Sequence, residues 1–170
     1  AAVQSGKVAL GFRPNLMLMV AFVTGAASFM YEIGWIRMLS LVLGSATHSF
    51  ELMLSAFILG LALGSFYIRG RIDREPNPLR LLGWLQVMMA LLAVLSLPFY
   101  MFTFDAMAAA LQALSPNEAG YFGFTIFSHL LCLALMLPVT FCAGMTLPLI
   151  TAILLRSGQG EASIGRVYAA

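Results

Sequence analysis

The chain is a series of long apolar stretches separated by short polar segments. Each stretch has few polar interruptions and is long enough to form a membrane-spanning helix, which needs about 20 apolar residues. The stretches cover residues 15–43, 47–67, 79–104 and 121–155. This pattern predicts an all-α, polytopic transmembrane helical bundle with four spans.

The segments outside the apolar stretches are short. We interpret residues 1–14 as a lead-in, 15–155 as one transmembrane domain, and 156–170 as a tail or the start of a further span. The fourth stretch is longer than a bilayer core of about 30 Å requires, and it contains Pro138 and Pro148. Because proline removes a backbone donor and clashes with the preceding turn, we expect this span to tilt, kink or break.

Composition supports a membrane environment. The chain is 61% hydrophobic and only 9% charged, with a mean hydropathy of +0.95. Soluble domains carry roughly 25% charged residues, so a soluble enzyme and a disordered chain are both excluded. The net charge of +2 is too small for a nucleic-acid-binding surface. The lipid bilayer is therefore the expected partner, and nucleic acid is not.

The basic residues give an orientation. Apart from Arg37, they all lie before the first span, between the second and third, or after the fourth: Lys7, Arg13, Arg69, Arg71, Arg74, Arg80, Arg156 and Arg166. Cytoplasmic loops carry an excess of Lys and Arg, so both termini are predicted to lie in the cytoplasm. Arg69, Arg71 and Arg74 occupy the short second turn and are candidates for binding anionic lipid headgroups.

Three charged residues lie within or at the ends of the first two spans. Glu32 is deep in the first span, Arg37 follows it, and Glu51 lies near the start of the second span. Charged groups at membrane depth are costly, and each marks a functional hypothesis. Two roles stay open: an ion-pair and hydrogen-bond cluster that holds the helices together, or a site for a polar or cationic ligand.

Histidine and cysteine offer little metal chemistry. His48 and His129 fall on different spans toward the outer half, where they could ligate a haem or a chlorin. The alternative is that each one hydrogen-bonds a neighbour. Cys132 and Cys142 both lie in an apolar run and are expected to act as small apolar side chains. We therefore predict no metal site and no cofactor as the leading expectation.

Other residues of the spans have expected packing roles. Ala56, Gly60 and Gly64 recur at a spacing of four and predict a ridge where another helix can approach closely. Aromatic residues near the span ends are expected to act as interfacial anchors. These are Tyr31, Trp35, Tyr67, Trp84, Tyr100 and Tyr121.

Several segments together resemble a known family. They are the first two spans with Tyr31–Glu32, Trp35 and Arg37, the ridge at Gly60 and Gly64, and the segments GRIDR, AGMTLPLI and GRVYAA. They are similar to the membrane half of the fused major-facilitator-like/spermidine synthase proteins, which are polytopic proteins of bacteria. The resemblance implies a multi-pass protein of the bacterial cytoplasmic (inner) membrane.

Members of that family continue into further spans and an aminopropyltransferase-like domain. The 170 residues contain no glycine-rich nucleotide-binding unit between a strand and a helix, so we expect no aminopropyl transfer from this chain. The leading expectation is a non-catalytic anchor or accessory subunit, with other membrane subunits or its own C-terminal part as partners. One alternative is a transporter-like module that binds a cation such as a polyamine through Glu32. Another is a cofactor-bearing subunit of an electron-transfer or light-harvesting complex.

Overall fold

Four long helices make up the described part of the chain. The computed structural model describes residues 14–43, 46–114 and 117–156, without the side chains of residues 14, 15, 46, 48 and 49. The helices are α1 (Pro14–Leu43), α2 (Ala46–Arg69), α3 (Pro78–Ala113) and α4 (Glu118–Arg156), with a 3-10 turn at Ile72–Arg74 between α2 and α3. All regular structure in these residues is helical, and each of the four helices is long and apolar enough to cross a membrane.

The helix starts follow ordinary capping chemistry. Pro78 opens α3, where its missing N–H costs nothing. Asn117 caps α4, because its Oδ1 accepts a hydrogen bond of 2.8 Å from the N–H of Gly120. Glu118 then places a negative charge in the first turn of α4, at the positive end of the helix dipole.

The third helix is longer than its most apolar stretch. It continues past Phe104, where the predicted span ends, to Ala113, so residues 107–113 (MAAALQA) also belong to α3. Alanine, leucine, methionine and glutamine are strong helix formers, and no glycine or proline interrupts them. Its 36 residues extend over about 54 Å, well beyond a hydrocarbon core of about 30 Å.

The fourth helix is continuous through both of its prolines. Pro148 cannot donate to the carbonyl of Gly144, which lies one turn before it. Ser65 of α2 donates instead, with its Oγ 2.8 Å from the Gly144 carbonyl oxygen. A neighbouring helix therefore satisfies the acceptor that the proline leaves open, as prolines in membrane helices require.

The helix α4 is central to the bundle. In its most apolar window 61% of the residues are buried, against 17% for α1 and for α3. We call the end where Arg69, Arg71, Arg74, Arg80 and Arg156 lie the basic end, and the opposite end the distal end. One buried cluster near the basic end includes Met17, Ile68, Leu82 and Leu149. A second, nearer the distal end, includes Leu39, Met53, Leu131 and Met136.

Two of the expected interfacial aromatics lie inside this second cluster. Trp35 is 2% exposed and Tyr100 is 8% exposed. Their rings pack edge to face with centroids 5.5 Å apart, and Tyr31 and Phe104 extend the row. The expectation of interfacial anchors is wrong for these two residues, because their rings pack against each other between α1 and α3 rather than against lipid. Trp84 and Tyr121 are exposed, at 60% and 71%.

The helices α2 and α4 run parallel with their backbones in contact. A Cβ atom on Gly60 would lie 2.7 Å from Cβ of Thr140. One on Gly64 would overlap the Phe141 carbonyl and lie 3.2 Å from Cα of Gly144. Gly144 in turn meets the backbone of Leu61. Only glycine allows the backbones to approach so closely at these three positions. Ala56, which is 1% exposed, continues the same face of α2 with the smallest side chain.

Candidate functional site

A cavity of about 190 Å³ lies between α1, α2 and α4, where the two buried clusters meet. Thr24, Ser28 and Thr146 contribute hydroxyl groups to a lining that is otherwise apolar, with Phe57 and Ile150 on the other sides. Ordinary ligand pockets measure about 300–1,000 Å³. The cavity therefore suits a small group, or one end of a larger molecule, rather than an entire cofactor.

Glu32 lies beside this cavity along α1. Ala21, Gly25 and Ser28 line the cavity, and Glu32 continues the same helix face at the spacing i, i+4, i+7, i+11. It is half-buried and lies about 6 Å beyond Ser28 toward the distal end. The structure thus puts the deepest carboxylate of the described chain one helical turn from a cavity with a partly polar lining.

Polar side chains connect α1 to its neighbours around this site. Nε2 of Gln86 donates to Oγ1 of Thr24 across 3.0 Å, which links α3 to the cavity wall. The Tyr100 hydroxyl donates to the Met38 carbonyl across 2.8 Å. Such interhelical hydrogen bonds average about 0.6 kcal/mol each in membranes, so they position α1 more than they stabilise it.

Tyr31 adds a third connection near Glu32. Its hydroxyl lies 3.5 Å from Oγ of Ser96 and 3.4 Å from the carbonyl oxygen of Leu135. It therefore reaches both α3 and α4 from the residue next to Glu32. This contact holds the α1 segment that carries the carboxylate against the rest of the bundle.

The structure places Arg37 and Glu51 on the outside of the bundle, where both are exposed. Within the described residues, no ion pair joins Glu32, Arg37 and Glu51 to one another. Arg37 is six residues before the end of α1, and Glu51 is five residues after the start of α2. The two opposite charges therefore lie at nearly the same depth on neighbouring helices.

The two histidines lie on different helices, and only His129 has a described side chain. His129 is exposed on α4, with Nδ1 2.9 Å from the carbonyl oxygen of Thr125 one turn earlier. His48 lies in the first turn of α2, and its side chain is outside the described part of the chain. Among the residues that the structure describes, no group of three or more His, Cys, Asp or Glu could hold a metal ion.

Two arginines of the basic end have partners in the described structure. Arg156 is bound to the loop between α2 and α3, donating from Nη2 to the Ile72 carbonyl (2.6 Å) and from Nη1 to the Glu75 carbonyl (2.9 Å). Arg71 lies over the ring of Tyr67, 4.2 Å from its centroid, and donates to its hydroxyl. Arg69 and Arg74 are exposed beside them. Basic side chains are thus concentrated where headgroups would lie.

Three residues without an expected role in the sequence connect the helices. Gln86, Thr24 and Ser65 all make interhelical hydrogen bonds. A signal was present for Gln86, since an amide within an apolar stretch needs a partner in lipid. Serine and threonine are common in membrane helices and usually bond their own backbone, so no pattern separated Ser65 and Thr24 from the others.

Comparisons with known proteins add no relative. No protein-family model, curated protein or solved structure matches this chain. The resemblance to the membrane half of the spermidine synthase-like proteins therefore stays a prediction from the sequence.

Proposed function

We propose that the chain is a non-catalytic membrane module that acts as an anchor or accessory subunit of a larger membrane assembly. The observation that carries this proposal is the unequal burial of the helices. The helix α4 is enclosed, whereas α1 exposes most of its length and carries Arg37 on its outer side, without an ion pair in the described chain. A charged group on the outside of an apolar helix is costly in lipid, and a neighbouring subunit would supply its partner.

The proposed location is the bacterial cytoplasmic membrane, with the basic end and both termini on the cytoplasmic side. The arginines at the ends of α2 and α4 and at the start of α3 support this orientation through the positive-inside tendency. Arg69, Arg71 and Arg74 would then meet anionic headgroups, each contributing about 1 kcal/mol.

Purification from native membranes in mild detergent tests the subunit role. The protein should migrate with other membrane proteins in a complex much larger than its own 18.4 kDa. A solitary monomer in several mild detergents would contradict the proposal.

A second candidate function is the binding or transport of a small cationic solute. The position of Glu32, one turn from the cavity with three hydroxyl groups in its lining and on the same face of α1, favours it. A carboxylate in a low-dielectric setting attracts a cation more strongly than it would in water. The cavity could take one amine end of a linear polyamine, with the carboxylate as its counter-ion.

Uptake into vesicles tests this second candidate. Glu32→Gln keeps the size of the side chain and removes its charge, so uptake of labelled spermidine should fall at least tenfold. Glu118→Gln, at the exposed start of α4, is the matched control and should leave uptake unchanged. Equal uptake by the wild type and the Glu32→Gln protein, with both proteins folded, would remove this function.

A further inference from the structure

The two exposed charges near the distal end have complementary signs and matching depths. Arg37 lies about 9 Å below the end of α1, and Glu51 lies about 7.5 Å below the start of α2. Neither is paired with another charged residue within the described chain. One copy of the protein therefore presents a positive and a negative group at one level of the membrane.

Each of these charges lies on a regular outer helix face. On α1, the residues Met30, Gly34, Arg37 and Leu41 follow the spacing i, i+4, i+7, i+11, and all are exposed. On α2, the same spacing relates a second exposed set: Glu51, Ser55, Ile58 and Ala62. We call these two sets the α1 outer face and the α2 outer face.

The outer faces have the composition of membrane helix interfaces. Met30 and Leu41 are 72% and 74% exposed, and Ile58 is 56% exposed. Small residues alternate with them, and a Cβ atom on Gly34 would meet nothing within 4 Å. Small residues let backbones approach closely, and this close packing is a main source of helix association in lipid.

From this complementarity we infer that the occupant of the two outer faces is a second copy of the chain. In a two-fold dimer with its axis along the membrane normal, a residue of one copy meets residues at the same depth in the other. The α1 outer face of each copy would then pack on the α2 outer face of its partner. Arg37 of each copy pairs with Glu51 of the other, so one symmetric contact forms two ion pairs.

This inference deepens the proposed subunit role and rests on it, because it names the partner that covers α1. A lone arginine can also extend its side chain to the interface. In that alternative Glu51 plays no part, whereas in the dimer the effect of changing Arg37 depends on the charge at residue 51. An ion pair within one copy also couples them, and the experiment must separate the two arrangements.

Charge reversal in trans makes that separation. Two copies with different tags are expressed in one membrane, and recovery of the second tag is measured after purification through the first. Wild-type copies should co-purify. Two R37E copies, or two E51R copies, should lose about tenfold of this recovery, because like charges then meet at both contacts.

The mixed pair is decisive. When an R37E copy meets an E51R copy, the introduced carboxylate of the first faces the introduced guanidinium of the second. At the other contact, the native Glu51 of the first copy faces the native Arg37 of the second. Co-purification should therefore return to the wild-type value.

The mixed pair also excludes an ion pair formed inside one chain. Within each variant copy the two charges are alike, so an intramolecular pair would not be restored by mixing. A mixed pair that stays apart, or single variants that co-purify normally, overturns the inference.

Controls keep the result independent of folding. D105R reverses an exposed charge on α3, a helix that carries neither outer face, and should co-purify as the wild type does. If the reversed variants do not fold, the neutral variants R37Q and E51Q decide, since each should still reduce recovery severalfold and full recovery contradicts the dimer. Wild-type copies that stay apart, while complexes with other membrane proteins persist, overturn this inference and leave the proposed function standing.

Discussion

At the scale of single residues, the bundle depends on polar side chains that hydrogen-bond to backbone groups of other helices. Ser65 donates to the Gly144 carbonyl that Pro148 leaves without its usual donor. In lipid there is no water to replace such a donor, and an unsatisfied backbone group costs free energy. A serine that looks ordinary in the sequence is therefore paired with a proline on another helix.

The dependence of Ser65 on Pro148 can be measured. Ser65→Ala should lower the free energy of unfolding by about 1–3 kcal/mol, because the Gly144 carbonyl loses its partner. In a Pro148→Ala background the same change should cost less, since the introduced alanine provides the backbone N–H that proline lacks. A double-mutant cycle in detergent measures the coupling.

Ser55→Ala is the matched control for this cycle. The Ser55 hydroxyl donates to the Leu52 carbonyl of its own helix across 2.7 Å, so its removal should have little effect. Equal costs for Ser65→Ala with and without Pro148 would show that the two residues act independently.

At the scale of helices, the contact between α2 and α4 is the closest in the described bundle. The Cβ positions on Gly60, Gly64 and Gly144 are all occupied by atoms of the opposite helix. A flexible side chain can move aside, but the atoms at Gly64 and Gly144 belong to backbone. This contact therefore sets the distance between the two helices and admits no side chain at its centre.

Substitution of Gly64 tests that contact. Gly64→Ala should destabilise the protein by about 1–3 kcal/mol, the usual cost of overpacking, because the new methyl group meets the backbone of Phe141. Gly83→Ala on α3 is the control, since a Cβ atom there has nothing within 4 Å and alanine favours helix. The unfolding temperature in detergent should therefore fall for Gly64→Ala, and it should stay unchanged or rise for Gly83→Ala.

At the scale of the whole molecule, the four helices give the described chain two chemically different ends. The basic end collects the arginines of the second turn and of α4, and Arg156 fixes the loop between α2 and α3 through two carbonyl groups. At the distal end, α3 continues 13 residues past Tyr100, whereas α1 ends five residues past Met38. Because Tyr100 donates to Met38, α3 projects roughly 12 Å further than α1.

Single-cysteine labelling tests the proposed orientation of these ends. Cysteine at Asn77, in the α2–α3 loop, should react with a membrane-impermeant reagent only after the membrane is permeabilised. Cysteine at Ala119, at the exposed start of α4, should react in intact cells. The native Cys132 and Cys142 are buried and give the background. Labelling of Asn77→Cys in intact cells would contradict the proposed orientation and indicate the opposite one.

The sequence predicts the number and type of the helices because apolar length is a strong signal for membrane spans. It does not predict that α3 continues to Ala113, because the residues after Phe104 favour helix but no longer form a continuous apolar stretch. The faces of Trp35 and Tyr100 are also missed, because every face of an apolar helix looks alike when both lipid and protein interior are apolar. The depth of Glu32 follows from counting residues, but the cavity beside it depends on how three helices pack.

The parallel contact between α2 and α4 has a consequence for the order of biosynthesis. Gly144 is made about 80 residues after Gly64, which is a delay of roughly 4–16 s at ordinary rates of translation. During that interval the face of α2 that carries Gly60 and Gly64 has no α4 to pack against. An insertion chaperone, or a helix of another nascent protein, could occupy it until α4 arrives. The last of the four described helices to be made is therefore the one that completes the bundle.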